Sequence, residues 1–137
     1  HRAPKEGIAF DNLAGETGYR AMECYGQSKL ANALFARSLA RKGIAANALH
    51  PGVIATKIFD TLPPLIGGIV TLGRLFMKTV GQGAATTCYV ATAPGLAGVA
   101  GVYFKDCNPC IPHPNAENDA LADRLWAVSE NLTRAYL

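Results

Sequence analysis

A stretch rich in alanine and leucine, from Gln27 to Lys42, contains no proline or glycine and constrains the fold more than any other feature. Such residues favour an α-helix, and we predict one from about Tyr19 to Lys42. Apolar residues lie on more than one side of it, so the helix is expected to pack between a sheet and a partner. Residues four apart project from the same face of a helix, which makes Tyr25 and Lys29 neighbours.

A phenol beside an ammonium group has a chemical use. A fixed cation favours the phenolate form, and such a phenol can give a proton to a forming alkoxide or take one from an alcohol. Tyr25 and Lys29 are therefore candidate catalytic residues. The alternative is a surface tyrosine beside a solvated lysine, because pairs of this kind also occur in purely structural roles.

The residues after this helix have the pattern of half a βαβ repeat. Ile44 to Leu49 is a short, mostly apolar run that predicts a strand in a parallel sheet covered on both faces. His50 ends the strand, and a Pro-Gly turn follows it. Ligands of open parallel sheets bind beyond the carboxyl ends of the strands, so Pro51 and Gly52 are expected beside a cofactor. A plain strand-ending turn is the alternative.

Residues 57–80 are the least regular part of the sequence. Two adjacent prolines, Pro63 and Pro64, prevent a continuous helix, and we predict two short helical pieces at Leu65 to Val70 and Leu72 to Thr79. An apolar, interrupted insert of this kind suits a lid over an apolar substrate. Attachment to a membrane surface and a subunit contact are the alternatives.

Helical and extended segments alternate in the remainder of the chain. Gly81 to Gly83 invites a phosphate-loop interpretation, but Thr86 stands where the fingerprint requires glycine, so a helix start is favoured. This helix is expected to end at Ala93, before a Pro-Gly pair. Gly101 to Phe104 then predicts the last strand. A terminal helix is expected from about Asn115, and its packed side is expected to consist of Leu121, Leu125, Trp126, Val128 and Leu132.

Composition limits the class of protein. Half of the 137 residues are hydrophobic and the net charge is only +3, with dispersed basic residues, so one compact domain is expected and nucleic-acid binding is not. The longest apolar stretch, Leu62 to Gly73, is shorter than the ~20 residues that span a bilayer. No secretory leader is recognisable, so a cytoplasmic location is expected, with peripheral membrane association left open.

The four cysteines include one pair, Cys107 and Cys110, with redox or metal spacing. Zinc would require two further ligands, and His113 is the only nearby candidate. A thioredoxin-like motif would lie at a strand-to-helix junction early in a βαβ unit, whereas this pair lies late in the chain. Unpaired thiols and no metal site are therefore expected.

Several ordered motifs together resemble the short-chain dehydrogenase/reductase family, in its branch of retinol dehydrogenases and the WW-domain oxidoreductase. They are Tyr25 to Lys29, Asn47 to Gly52, Thr56, Gly101 to Phe104, and Arg124 to Trp126. The resemblance implies an α/β fold, the C-terminal portion of a Rossmann-like doubly wound parallel sheet with about two strands and flanking helices. Residues 1–137 would be a single partial domain, the C-terminal half of such an enzyme.

The resemblance also implies roles for particular residues. Tyr25 would be the general acid or base, and Lys29 would assist it and hydrogen-bond the nicotinamide ribose. The backbone of Pro51, Gly52, Val53 and Ile54 and the hydroxyl of Thr56 would approach the nicotinamide amide and the phosphates of NAD or NADP. The substrate would be a small apolar alcohol, aldehyde or ketone, retinol-like or lipid-like. The family's substrate loop corresponds to the insert at 57–80.

The sequence departs from the family pattern in its nucleotide-binding parts. No Thr-Gly-xxx-Gly-x-Gly and no Asn-Asn-Ala-Gly occurs, and no serine precedes Tyr25. The chain is therefore expected to bind a dinucleotide weakly, if at all, and to be inactive alone. A second hypothesis is a non-catalytic folding or oligomerisation fragment. An exposed strand edge and helix face would favour a homodimer or other self-association, since both promote association.

Overall fold

A computed structural model describes residues 6–54 and 77–136 of the chain as a mixed α/β structure. Within these ranges there are three α-helices and three short strands. In chain order they are α1 (Ala21–Arg41), β1 (Ala48–His50), α2 (Val80–Thr92), β2 (Tyr103–Lys105), β3 (Asn108–Pro109) and α3 (Asp119–Thr133). None of the helices in the described ranges has the length and apolar character needed to cross a membrane.

The chain divides into two compact units. The first consists of His1–Ala48, Gly98–Tyr103 and Cys110–Leu137, and the second of Leu49–Ala97 and Phe104–Pro109. Strands β1 and β2 each pass from one unit into the other, and the strand order of the sheet is β1-β2-β3. The two units are described separately below.

Helix α1 organises the first unit, and its prediction is confirmed to within two residues at its N-terminal end. Leu30 and Leu34 are 3% and 0% exposed and form a core with residues of the N-terminal segment and of the C-terminal part of the chain. Gly43 follows the helix with a φ of +82°, and its amide donates to the Ala40 carbonyl (3.0 Å). Gly43 therefore ends the helix in a left-handed conformation.

Helix α3 packs against α1. Arg41 binds Asp123 at 2.6 Å, and the hydroxyl of the buried Ser38 donates to the Ala122 carbonyl (3.4 Å). The start of the predicted terminal helix was wrong, because a 3-10 turn over Pro114–Glu117 precedes α3. Leu132 was predicted on the packed side of this helix, and this was also wrong, since Leu132 is 63% exposed. Ala122, which is only 1% exposed, packs in the core instead, because a small residue permits the two helices to approach closely.

Strand β1 is shorter than the predicted strand at Ile44 to Leu49, and it begins four residues later. Asn47 explains the difference: its side chain accepts from the Val102 amide (3.0 Å) and donates to the Val99 carbonyl (2.8 Å). These side-chain bonds take the place of regular backbone pairing at this position. Ala48 then donates to the Val102 carbonyl (3.1 Å), and parallel pairing proceeds from there.

Strand β3 is an addition that the sequence analysis did not predict. It pairs antiparallel with β2, Phe104 opposite Pro109 and Lys105 opposite Asn108, so Gly101 to Phe104 is not the last strand and the sheet is not wholly parallel. The two connecting residues, Asp106 and Cys107, have φ values of +53° and +59°. Two consecutive positive φ values are typical of a type I′ hairpin turn, whose twist matches that of the paired strands.

Helix α2 organises the second unit, and the prediction of a helix start rather than a phosphate loop is confirmed. Thr79 and Gln82 form a reciprocal capping box, with the Thr79 hydroxyl accepting from the Gln82 amide (3.2 Å) and the Gln82 side chain accepting from the Thr79 amide (2.9 Å). The helix ends before Ala93, as expected. Phe104 is fully buried against it, with its ring edge-on to Tyr89 at 6.3 Å.

Most of the predicted insert lies outside the described residues. This applies to the helical piece at 65–70 and to residues 72–76 of the second piece. The final residues of that second piece, Met77 to Thr79, are not helical. Instead, Lys78 forms a parallel bridge with Ile54, and its amide donates to the Val53 carbonyl (2.9 Å). Backbone pairing with the preceding segment thus competes with a helix at this position.

Two glycines in the first turns of α2 make a matched pair for a stability test. A Cβ added at Gly83 would lie 2.7 Å from Cγ1 of Ile54, whereas one added at Gly81 would have no neighbour within 4 Å. Both changes to alanine gain the same helix propensity, up to about 1 kcal/mol. Gly83→Ala is therefore expected to be less stable than Gly81→Ala by about 1–3 kcal/mol, the usual cost of overpacking. Urea unfolding of the two variants measures this difference, and equal midpoints would contradict the packing of Ile54 on Gly83.

The contact between α1 and α3 predicts a dependence of stability on pH. Arg37 donates a hydrogen bond to Asp119 (2.6 Å), which lowers the pKa of this carboxyl group from its ordinary value of 3.8. A folded-state pKa below the unfolded value stabilises the protein above pH 3.8, and this contribution is lost as the pH falls through the folded pKa. The free energy of unfolding, measured with urea between pH 2 and pH 6, is expected to depend less on pH in Asp119→Asn than in the wild type. Arg37→Met should have the same effect; an unchanged profile in both variants would show that the pair does not contribute.

Candidate active site

The structure brings the predicted pair together on α1. Tyr25 and Lys29 project from the same face of the helix, and the Lys29 ammonium nitrogen lies 5.3 Å from the centroid of the Tyr25 ring. Tyr25 is 43% exposed, so its phenol is accessible to a ligand. The arrangement places a phenol beside a positive charge on one face of a helix.

Packing of α1 decides which of its faces is accessible. One stripe of the helix is buried, and its members are Gly26, Leu30, Leu34 and Ser38. The side chain of Gln27 accepts from the Ala9 amide (2.8 Å), which attaches the N-terminal segment to the same side of the helix. The hydroxyl of Ser28 donates to the Tyr25 carbonyl (2.8 Å) within the helix. Because the buried stripe anchors one side, the side that carries Tyr25 is exposed.

The predicted cofactor-contacting segment belongs to the second unit. Pro51, Gly52, Val53 and Ile54 directly follow β1, at the carboxyl end of that strand. Gly52 has a φ of +95°, a conformation that side-chain-bearing residues rarely adopt. Val53 is 59% exposed. Ile54 packs against Gly83 of α2.

Thr56, the remaining predicted cofactor contact, lies outside the described residues. Its proposed hydroxyl contact therefore stays a prediction. Of the residues before it, His50 ends β1, residues 51–53 have no regular secondary structure, and Ile54 forms a bridge with Lys78.

Charged groups cluster around the end of β1 in the second unit. Lys78 forms an ion pair with Asp106, and its hydrogen bond lowers the pKa of that carboxyl group. Burial lowers the pKa of His50 below 6.5, and the positive charges of Lys105 and Lys78 lower it further. The lowered pKa favours the neutral imidazole of His50 at pH 7.

Sequence analysis missed the Lys78–Asp106 pair. The two residues are 28 positions apart, and no motif connects them. Lys78 was considered only as part of a helical piece of the insert. A weak signal was present in Asp106, because aspartate is one of the few residues that adopt a left-handed conformation in turns.

All four cysteines are present as free thiols, and Cys107 contacts Thr86 of α2 through its amide (3.2 Å). Within residues 6–54 and 77–136, no three side chains of histidine, cysteine, aspartate or glutamate are grouped closely enough to hold a metal ion.

Each unit, taken by itself, carries groups whose chemistry suits part of a dinucleotide. An accessible phenol and ammonium pair is suited to the sugar and to a reacting oxygen atom, and a glycine with an otherwise unfavourable φ permits backbone contact with a planar amide. The glycine-rich cradle that binds pyrophosphate in Rossmann-type sites is absent from the sequence.

Comparison with known proteins identifies relatives over nearly the whole chain. No family model matches the sequence. The short-chain dehydrogenase TIC 32 B of Brassica napus is 42% identical over 133 residues, which are 93% of this chain and 42% of the relative. Human WW domain-containing oxidoreductase is 41% identical over 123 residues, 87% of this chain and 30% of the relative. Human retinol dehydrogenase 14 is 39% identical over 130 residues, 90% of this chain and 39% of the relative.

The resemblance to the short-chain dehydrogenase/reductase family is confirmed. The chain spans less than half the length of these three relatives. Their names describe dehydrogenases and an oxidoreductase, which are enzymes of one reaction class.

Proposed function

We propose that these residues form the proton-transfer part of an NAD(P)-dependent oxidoreductase that interconverts an alcohol with its aldehyde or ketone. The observation that supports this most directly is the Tyr25 and Lys29 pair on an exposed face of α1, where the Lys29 ammonium nitrogen lies 5.3 Å from the centroid of the Tyr25 ring. The family resemblance supports the same reaction class. Neither the choice between NAD and NADP nor the direction of the reaction depends on this pair.

In the proposed reaction a bound dinucleotide supplies or accepts the hydride. Tyr25 donates its phenolic proton to the carbonyl oxygen during reduction, and its phenolate accepts the hydroxyl proton during oxidation. Lys29, whose ammonium lies beside the Tyr25 ring, would present N–H donors to the ribose hydroxyls. One hydride and one proton together convert the carbonyl group into an alcohol.

Substrate and cofactor contacts extend the proposal to the second unit. The backbone of Pro51, Gly52, Val53 and Ile54 would bind the carboxamide of the nicotinamide, and Thr56 would donate to the same group or to a phosphate. The insert at 57–80 would be the substrate loop, and its apolar sequence favours a retinol-like or lipid-like alcohol. A relative named as a retinol dehydrogenase supports this substrate class.

A second candidate function is self-association without catalysis. Large apolar side chains are exposed on α1, with Met22 at 78% and Phe35 at 52%. Exposed apolar surface of this kind favours a contact with a second copy or another chain. A homodimer would thus be compatible with either function.

Fluorescence titration of the 137-residue chain with NADPH and with NADH separates the two candidates. Saturable binding of either dinucleotide in the micromolar range would contradict the non-catalytic candidate, and Lys29→Met should weaken it. Lys42→Met is the matched control, because the Lys42 ammonium lies over Trp126 (4.5 Å) and not over Tyr25. If no dinucleotide binds and sedimentation shows a dimer, the second candidate is favoured for the chain alone.

A further inference from the structure

A lysine side chain lies across the turn to which the proposed function assigns cofactor contact. Atoms of Lys78 would lie 2.8 Å (Cδ), 3.0 Å (Cε) and 3.2 Å (Nζ) from a Cβ built on Gly52. The end of the Lys78 side chain thus covers the open face of this glycine. A side chain at position 52 would displace it, in addition to the strain that a φ of +95° imposes.

Both the backbone and the side-chain ammonium of Lys78 are bonded to neighbouring residues. Its amide donates to the Val53 carbonyl (2.9 Å), and the residue pairs with Ile54 in a parallel bridge. Its ammonium group forms an ion pair and hydrogen bond with the carboxylate of Asp106. The side chain is only 29% exposed, so it is partly shielded from water and from screening ions.

The acceptor of this bond is itself fixed in place. Asp106 occupies the first central position of the β2–β3 turn, and its carbonyl accepts from the Asn108 side chain (2.7 Å). The next residue, Cys107, donates its amide to the hydroxyl of Thr86 (3.2 Å), and Thr86 is 1% exposed in α2. Lys78 therefore connects the segment after β1 to a rigid hairpin.

The surrounding charges keep the carboxylate ionised. The hydrogen bond from Lys78 lowers the pKa of Asp106, and the positive charges of Lys78 and Lys105 lower it further. Because Asp106 is an anion throughout the neutral range, the ion pair persists under ordinary solution conditions. Lys105 contributes charge without spanning Gly52, which makes it a matched control for Lys78.

We propose that Lys78, bound to the Val53 carbonyl and to the Asp106 carboxylate, is a positioning residue that fixes the conformation of the Pro51–Gly52 turn. The part of this inference that concerns cofactor binding rests on the proposed function. The conformational role itself can be tested without any cofactor.

The test uses ¹⁵N-labelled 137-residue chain and three variants, Lys78→Met, Lys78→Arg and Lys105→Met. Lys78→Met is expected to shift the Gly52 amide resonance and to speed hydrogen exchange of the residue 78 amide by about tenfold, the factor for loss of one modest interaction. Lys105→Met should leave both unchanged, and Lys78→Arg should restore both. The Cys88 amide, in the middle of α2, reports opening of the whole helix and should not change.

Three outcomes would overturn the proposal. The first is an unchanged Gly52 resonance in Lys78→Met. The second is equal acceleration of exchange at Cys88 and at residue 78, which would indicate general destabilisation only. The third is an Asp106→Asn variant that behaves like the wild type, because the carboxylate would then be unnecessary. If Lys78→Met fails to fold, Lys78→Arg and Asp106→Asn still decide the question.

Titration of the same variants with NADPH connects the turn to the cofactor. Lys78→Met is expected to weaken binding by about 10–100-fold, the effect of misplacing a contact by roughly 1 Å. Unchanged affinity, despite a shifted Gly52 resonance, would show that the turn does not position the cofactor. If the wild-type chain binds no NADPH, as the absent glycine-rich cradle predicts, the resonance data still decide the conformational role.

Discussion

Replacing Tyr25 by phenylalanine is expected to lower kcat by about 10²–10⁴-fold, the usual contribution of a general acid or base. The change removes the hydroxyl that donates the proton and leaves the ring that packs beside the Lys29 ammonium. Affinity for the dinucleotide should change little, because the lysine remains. The helix should keep its stability, since Tyr25 is 43% exposed.

The measurement requires a nucleotide-binding part, which a hybrid protein supplies. In the hybrid, this chain replaces the 130 matched residues of human retinol dehydrogenase 14, and retinol oxidation is followed with NAD⁺ or NADP⁺. Tyr19→Phe is the matched control, because Tyr19 is 68% exposed, lies before α1, and is assigned no role. Equal activity of Tyr25→Phe and Tyr19→Phe would show that Tyr25 is not the proton donor.

Truncation of Phe104 to alanine is expected to destabilise the protein by about 3–5 kcal/mol, the typical cost of removing a buried phenylalanine. Its ring is 0% exposed and lies edge-on to Tyr89 at 6.3 Å. Alanine at this position leaves a cavity beneath α2 and removes the aromatic contact. This is the largest stability effect expected among the substitutions discussed.

Urea unfolding followed by circular dichroism measures the loss at Phe104. Tyr136→Ala is the control, because its aromatic side chain is 88% exposed and its removal should change the free energy of unfolding by no more than about 0.5 kcal/mol. A loss below about 1 kcal/mol for Phe104→Ala would contradict the packing described for β2 and α2.

Helices were the most predictable part of this fold. The bounds of α1 follow from an uninterrupted run of helix-forming residues and from Gly43, which are all local features. The sequence placed the start of α2 at Gly81 to Gly83, and in the structure the capping box of Thr79 and Gln82 sets it at Val80. Signals of this kind act within one helical turn, so the rest of the chain has little influence on them.

Strand positions depended on contacts that are distant in sequence. The start of β1 shifted because the Asn47 side chain bonds to the Val99–Val102 segment, 52 and 55 positions away. The hairpin of β2 and β3 was missed because its turn contains no glycine, the residue that usually marks positive φ. A hydrogen bond from the Cys107 amide to Thr86 of α2 accompanies this conformation.

The candidate site likewise depends partly on local signals and partly on contacts between residues distant in sequence. The helical period alone placed the Tyr25 phenol beside the Lys29 ammonium, because residues one turn apart share a face of any α-helix. Only the tertiary structure determined that this face is exposed, through burial of the opposite stripe that contains Leu30 and Leu34. Only the tertiary structure paired Lys78 with Asp106, because packing of the second unit brings together two residues 28 positions apart that no local interaction connects.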